Sequence, residues 1–186
     1  YLPATDDVAL GAVLREQVLR ASAACFGHRL LMDCVVPGGV AVDLPADGVP
    51  ILRALLAEMR RAFPPLVELY DNTASLQDRT ANTGTLDPTL VQQFGCGGVI
   101  GRAAGRAFDA RREPGYPPYD QLEFEVPVRR ESDVNARVWI RIREVEQSLA
   151  LIERILERLP SGPVHGALNP PGRLVEGMAL VEGFRG

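Results

Sequence analysis

The chain has no lysine; all 20 of its basic residues are arginine. With abundant alanine, glycine and proline, this reads as GC-rich coding and carries no function. The net charge of −4 removes any bulk attraction to nucleic acid or to an anionic membrane. Cysteine is scarce: Cys25, Cys34 and Cys96 are the only three, and no two stand two residues apart. That excludes a disulfide framework and a zinc or iron–sulfur ligand set written in the spacing. Free, buried thiols in a reducing compartment are the expectation. Histidine is scarcer still: His28 and His165 lie far apart and read as structural. No apolar run approaches the ~20 residues that cross a bilayer, so no direct membrane span is expected.

The apolar content of 46% over 186 residues is ordinary for a globular protein, and one domain with a sizeable core is expected. The strongest periodic signal lies between Asp133 and Pro160. Val134, Val138, Ile142, Val145, Leu149, Ile152, Leu156 and Leu159 repeat in steps of four and three, one face of an α-helix. Ser132 or Asp133 can cap its start, because a short oxygen side chain accepts from the orphan N–H groups of the first turn. Pro160 and Gly162 end it. At ~1.5 Å per residue it is roughly 40 Å long. A second stripe, Arg137, Arg141, Glu144 and Ser148, lies roughly 85° round the same helix and borders the core. It reads either as a flanking salt-bridge row or as the polar wall of a cleft.

Thr5 or Asp6 can cap a first helix with an apolar side at Val8, Ala12, Leu14, Val18 and Leu19, and Gly27 ends it. Leu30 to Val36 is mostly apolar and runs into Pro37-Gly38-Gly39, a turn. Pro50 suits the first turn of a second helix with Ile51, Leu52, Leu55, Leu56, Met59 and Phe63 inward. Pro64-Pro65 is expected to kink or break it before about Asn72. Gln77 to Gly84 reads as loop. Asp87-Pro88 starts a short helix that Gly95 stops. The glycines around Cys96 miss the dinucleotide fingerprint, with no strand before them and no acidic residue after them at the right distance. Leu122 to Val128 alternates and reads as one strand, with Pro127 at an edge. Val164, Ala167, Leu168, Met178, Leu180 and Val181 offer short strands. The expected fold is mainly α with small β elements, a helical bundle around one long central helix near 133–159 that packs on the first and second helices through its Val134–Leu159 stripe.

Taken in order, Pro37-Gly38-Gly39-Val40 with Asp43-Leu44-Pro45, Arg79-Thr80, Gly98 through Arg102, Gly105, Asp109 and Arg111, Tyr119-Asp120, Phe124 and Val126-Pro127 form one series. Asp133, Arg137, Arg141 or Arg143, Glu144 and Ser148, then Pro160, Gly162 and Pro163, continue it. The series resembles the large-subunit family shared by membrane-linked nickel–iron hydrogenases, the formate-hydrogenlyase type included, and respiratory complex I, the NADH–quinone oxidoreductase. In complex I that subunit bears the quinone site beside the terminal iron–sulfur cluster.

The resemblance implies that residues 1–186 are an internal part of a longer subunit, for which the opening Tyr1 and the closing Val-Glu-Gly-Phe-Arg-Gly are the sequence signs. It implies an oxidoreductase parent with a nickel–iron centre or a quinone as its group. The partners implied are a small iron–sulfur subunit and membrane subunits, at the inner face of the bacterial cytoplasmic membrane. The alternative is a non-catalytic relative that docks partner subunits. The chain itself supplies no cofactor ligands, since the family's flanking cysteine pairs are not in it. By itself it is expected to bind no metal, to be inactive and to self-associate. Two departures stand out. The family's histidine ahead of Pro-Gly-Gly is Leu31 here, with His28 three residues off, and the arginine before the proline is Val36. Both favour the hydrogenase branch. The matched charged positions, Arg79, Arg102, Asp109, Arg111, Arg137, Arg141 and Glu144, form a candidate polar network. Its expected bonds are Arg137 or Arg141 to Asp109, and Glu144 to Arg102 or Arg111. It either shapes an active-site floor or locks one segment to the long helix.

Overall fold

Periodic runs of apolar and helix-favouring residues dominate the chain, and the fold they give is mainly α with small β elements. The computed structural model describes residues 5–168 and 176–183. In chain order it contains α1 (Thr5–Phe26), β1 (Val35–Val36), β2 (Gly39–Val40), α2 (Gly48–Asn72), α3 (Ala74–Thr80), α4 (Pro88–Gln93), α5 (Gly98–Ala103) and α6 (Val134–Glu157). Two compact units are formed, one from Tyr1–Leu66 with Leu156–Gly177, the other from Val67–Ile155 with Met178–Gly186.

In the first unit α1 buries Leu14, Ala21 and Cys25, spaced to one face. Gly27 closes it in the left-handed region, with its N–H on the Ala23 carbonyl. The proposed caps Thr5 and Asp6 have side chains outside the described residues. The Pro37-Gly38 turn folds β1 back on β2, pairing Val35 with Val40 and Val36 with Gly39. Residues 164–166 then lie along this hairpin. Val40 donates to the Val164 carbonyl, Gly166 donates to the Gly38 carbonyl, and His165 bridges Gly39. A side chain at Gly39 would strike the Val164 carbonyl, so the close approach requires glycine there. Of the C-terminal strands expected from the sequence, this short stretch around His165 is the part that pairs. Met178, Leu180 and Val181 are exposed and pair with nothing among the described residues.

α2 begins at Gly48 and runs to Asn72, the expected end, with Pro64 and Pro65 inside it, so of the two expected outcomes, a kink or a break, the break does not occur. Tandem prolines remove two donors, yet the proline ring itself holds a helical φ, and the turn survives the loss. The stretch read as loop is also helical. Thr73 accepts the Leu76 and Gln77 N–H groups on its carbonyl, and Gln77 ties back to the Tyr70 carbonyl, so Ala74–Thr80 becomes α3. Asp87 caps α4 through Thr89, and Gly95 ends it with φ 62°.

The expected strand at 122–128 is absent. Its alternation produces an extended segment, but no neighbouring strand supplies a ladder and Pro127 has no N–H to give. Instead the segment is held by α6: Arg154 donates to the Glu123 carbonyl, and Gln147 accepts from Glu125 N–H. The buried face of α6 also departs from the apolar stripe. Ala136, Ile140, Ile142 and Leu151 are its buried residues, whereas Ile152 is 39% exposed. Ala136 and Ile140 join Val99 and Ala103 of α5 in the core cluster of the second unit. Two of these four are alanines, a signal that a count of large apolar residues passes over.

Candidate functional site

The second unit carries a charged cluster around the inner end of α5. Arg102 is the hub, 5% exposed. α5 can sit there because Gly101 has no side chain; one would strike the Cys96 carbonyl. From α5 the Arg102 guanidinium reaches three places. Its Nε donates to Glu144 Oε1 of α6 at 2.6 Å. Its Nη1 donates to the Phe108 carbonyl at 2.9 Å and to Glu182 Oε1 at 2.5 Å. Asp109 Oδ2 lies 4.0 Å from the same nitrogen.

Asp109, 3% exposed, is held by Arg111 in a two-pronged pair, Nε to Oδ1 at 2.9 Å and Nη2 to Oδ2 at 2.6 Å. Burial pushes the Asp109 carboxyl up, but the hydrogen bonds and charge of Arg111, with Arg102 behind them, prevail and hold it below its ordinary value. The same pair raises Arg111. The Arg111 guanidinium also stands 5.1 Å from the Phe124 ring centre and 5.7 Å from that of Tyr119, cation–π distances. Three carboxylates thus surround two guanidiniums beside a cavity of about 320 Å³, lined also by Tyr116, Ser148 and Val181. Burial and the neighbouring Tyr119 raise the Tyr116 phenol.

The structure brings together Arg102, Asp109, Arg111 and Glu144 of the expected network, and places the other three elsewhere. Arg137 does not reach for Asp109; it donates to the Ser132 and Gly84 carbonyls. Arg141 donates to the Arg137 carbonyl. Arg79 is exposed on α3. Arg137 belongs to a second polar knot at the start of α6. There Asp133, the N-cap, accepts from Ala136 N–H at 2.7 Å and from Asn82 N–H at 2.7 Å, and Tyr70 donates to Asn135. Glu182 was not legible as a member of the cluster: it stands alone among apolar and glycine residues, with no periodic partner.

The Pro37, Gly38 and Gly39 turn sits in the first unit, on the hairpin. Just before it, the His28 ring accepts from the N–H groups of Leu30 and Met32 through Nδ1, so it organises a turn. Leu31 occupies the left-handed region there with φ 57° and is half exposed. Among the described residues no group of three or more His, Cys, Asp or Glu side chains could hold a metal ion, so they do not fit a nickel–iron centre. Cys25 is buried against the Gly48 carbonyl, and Cys34 and Cys96 are half-buried and apart in sequence.

The family described as "Respiratory-chain NADH dehydrogenase, 49 Kd subunit" matches residues 4–173. The chain belongs to that family. Curated relatives agree with the placement in the 49 Kd subunit family. An NADH-quinone oxidoreductase subunit of Syntrophobacter fumaroxidans is 35% identical over 176 residues, 92% of this chain and 45% of the relative. Another NADH-quinone oxidoreductase subunit, from Bacteroides thetaiotaomicron, is 33% identical over 174 residues, 92% of this chain and 33% of the relative. A carbon monoxide-induced hydrogenase of Rhodospirillum rubrum is 31% identical over 173 residues, 92% of this chain and 48% of that protein. The chain spans between a third and a half of the length of these relatives. All four charged residues gathered from the expected network lie inside the span matched to the 49 Kd subunit family, and Glu182 lies beyond it.

Proposed function

We propose that this chain is the central part of the large subunit of a membrane-associated oxidoreductase, and that its parent transfers electrons as a partner of a small iron–sulfur subunit and of membrane subunits. The observation that carries the reading is the match of one continuous span, 92% of the chain, to relatives named both as NADH-quinone oxidoreductase subunits and as a hydrogenase. Residues 4–173, the span matched to the family, include α5, the 106–130 segment and α6 with its buried charges. No helix among the described residues is long and apolar enough to cross a membrane. The family likeness is what supports a peripheral position of the parent against membrane subunits, at the inner face of the cytoplasmic membrane.

Within the family, Leu31 and Val36 stand where the quinone branch has its histidine and arginine, which favours the hydrogen-linked branch. The Arg102–Asp109–Glu144 network then serves chiefly to lock the 106–111 segment to α6, because both arginines are engaged by protein carboxylates. The reactive group itself, nickel–iron or quinone, would be held by residues of the parent outside this chain. The chain alone is therefore expected to hold no stoichiometric nickel or iron and to turn over neither hydrogen nor quinone.

The test is purification of the intact complex from its source through a tag on the full-length subunit, followed by assays of hydrogen evolution and of NADH-dependent quinone reduction. Hydrogen evolution is the expected activity. Quinone reduction alone would move the protein to the other branch, and an assembled complex with neither activity would refute the oxidoreductase reading.

A further inference from the structure

The segment 178–183 is fastened in an unusual way. Every residue in it is exposed except Glu182, with Val181 at 84% exposure. Among the described residues no backbone hydrogen bond joins it to another segment. Yet Val181, Glu182 and Gly183 form one wall of the charged cavity. Among the described residues its attachment is the Glu182 carboxylate. One oxygen accepts from Arg102 at 2.5 Å and the other from Ala110 N–H at 3.2 Å.

We propose that residues 178–183 are a strap across this cavity, latched by the Glu182–Arg102 ion pair, and that breaking the pair opens the cavity to small polar solutes. The charge arrangement makes the latch releasable. A buried guanidinium left without a carboxylate is costly, and that cost normally keeps such a pair shut. Here Arg102 keeps Glu144 at 2.6 Å, the Phe108 carbonyl at 2.9 Å and Asp109 at 4.0 Å after Glu182 leaves. Glu182 is the third carboxylate at a site with two cations, and Arg111 is already taken by Asp109. Departure of Glu182 relieves repulsion with Glu144 and returns a carboxylate to water. Among the described residues no apolar burial opposes it, because Met178, Leu180 and Val181 already face solvent. The proposal stands on the geometry of this unit and is independent of which electron-transfer branch the parent follows.

The experiment places a thiol in the cavity. In the intact complex, Ser148→Cys is reacted with 2-aminoethyl methanethiosulfonate, a small cationic thiol reagent, and labelling is resolved by peptide mass spectrometry. It is compared in the Glu182, Glu182→Gln and Glu182→Ala backgrounds. Native Cys25, buried in the first unit, is the reporter of general unfolding. Labelling at position 148 is expected to accelerate at least tenfold in both Glu182 variants while Cys25 stays unreactive. Equal rates in all three backgrounds, or a Cys25 rate that rises in step, would overturn the latch. Glu182→Gln keeps the size of the side chain and removes its charge, so its rate decides the question where Glu182→Ala fails to assemble.

Discussion

Ser132 is the residue most at odds with its surroundings. It is buried, sits at φ 58° in the left-handed region, and its hydroxyl has no hydrogen-bond partner. A left-handed non-glycine residue costs on the order of 1 kcal/mol. An unpaired buried hydroxyl adds roughly 1–3 kcal/mol by mutational measures. Glycine removes both, at about 0.5–1 kcal/mol of extra chain entropy in the unfolded state. Ser132→Gly is therefore expected to stabilise the protein by about 1 kcal/mol, read as a higher urea midpoint at unchanged slope; a lower midpoint would contradict the account. The sequence offered Ser132 and Asp133 as equal candidates for the α6 cap. The structure gives the cap to Asp133 and leaves Ser132 turning the chain, a distinction set by backbone conformation, which composition does not encode. A bond from Glu144 to Arg102 or Arg111 was legible because Glu144 borders the core on α6 and both arginines are charged positions of the matched series. Glu182 was not, because nothing local marks a lone glutamate as the third member.

α6 separates what periodicity can and cannot supply. Its existence, its start next to Asp133 and its end ahead of Pro160 follow from spacing, a capping oxygen and a proline. Its inward face does not, because two of the four residues in the buried cluster of α6 and α5 are the small Ala136 and Ala103, while larger residues on the neighbouring stripe remain half-buried. Ile140→Ala should accordingly cost about 2–5 kcal/mol, from lost burial plus a cavity. Ile152→Ala, on the exposed side of the stripe, should cost under about 1 kcal/mol. Chemical denaturation of the two variants checks this, and equal losses would return the stripe to the centre of the core. The missing strand at 122–128 has the same lesson from the other direction. Alternation reports a half-buried extended segment, whereas a strand needs a neighbour, and α6 side chains occupy that position.

For the molecule as a whole, the charge cluster predicts acid sensitivity of a definite sign. Asp109 has its carboxyl held below the ordinary 3.8. Its contribution is therefore complete above that pH and is lost as pH falls through the lowered native value, where the unfolded chain already binds the proton. Urea midpoints measured from pH 7 down to pH 3 should fall below about pH 4, and Asp109→Asn should flatten that fall while lowering the plateau. An undiminished acid slope in Asp109→Asn would assign the effect to other carboxylates. The pairing of the β1–β2 hairpin with residues 164–166 bears on synthesis. Gly39 and His165 stand 126 positions apart, and closing so long a loop is entropically unfavourable and slow. On the ribosome the hairpin leaves the exit tunnel well before its partner is made. Until then the Val40 N–H and Gly38 carbonyl are an open β edge, the kind of template that recruits stray strands. The two-residue length of each strand limits that hazard: an edge this short offers a passing chain too few hydrogen bonds to hold it while the ribosome finishes the segment that belongs there.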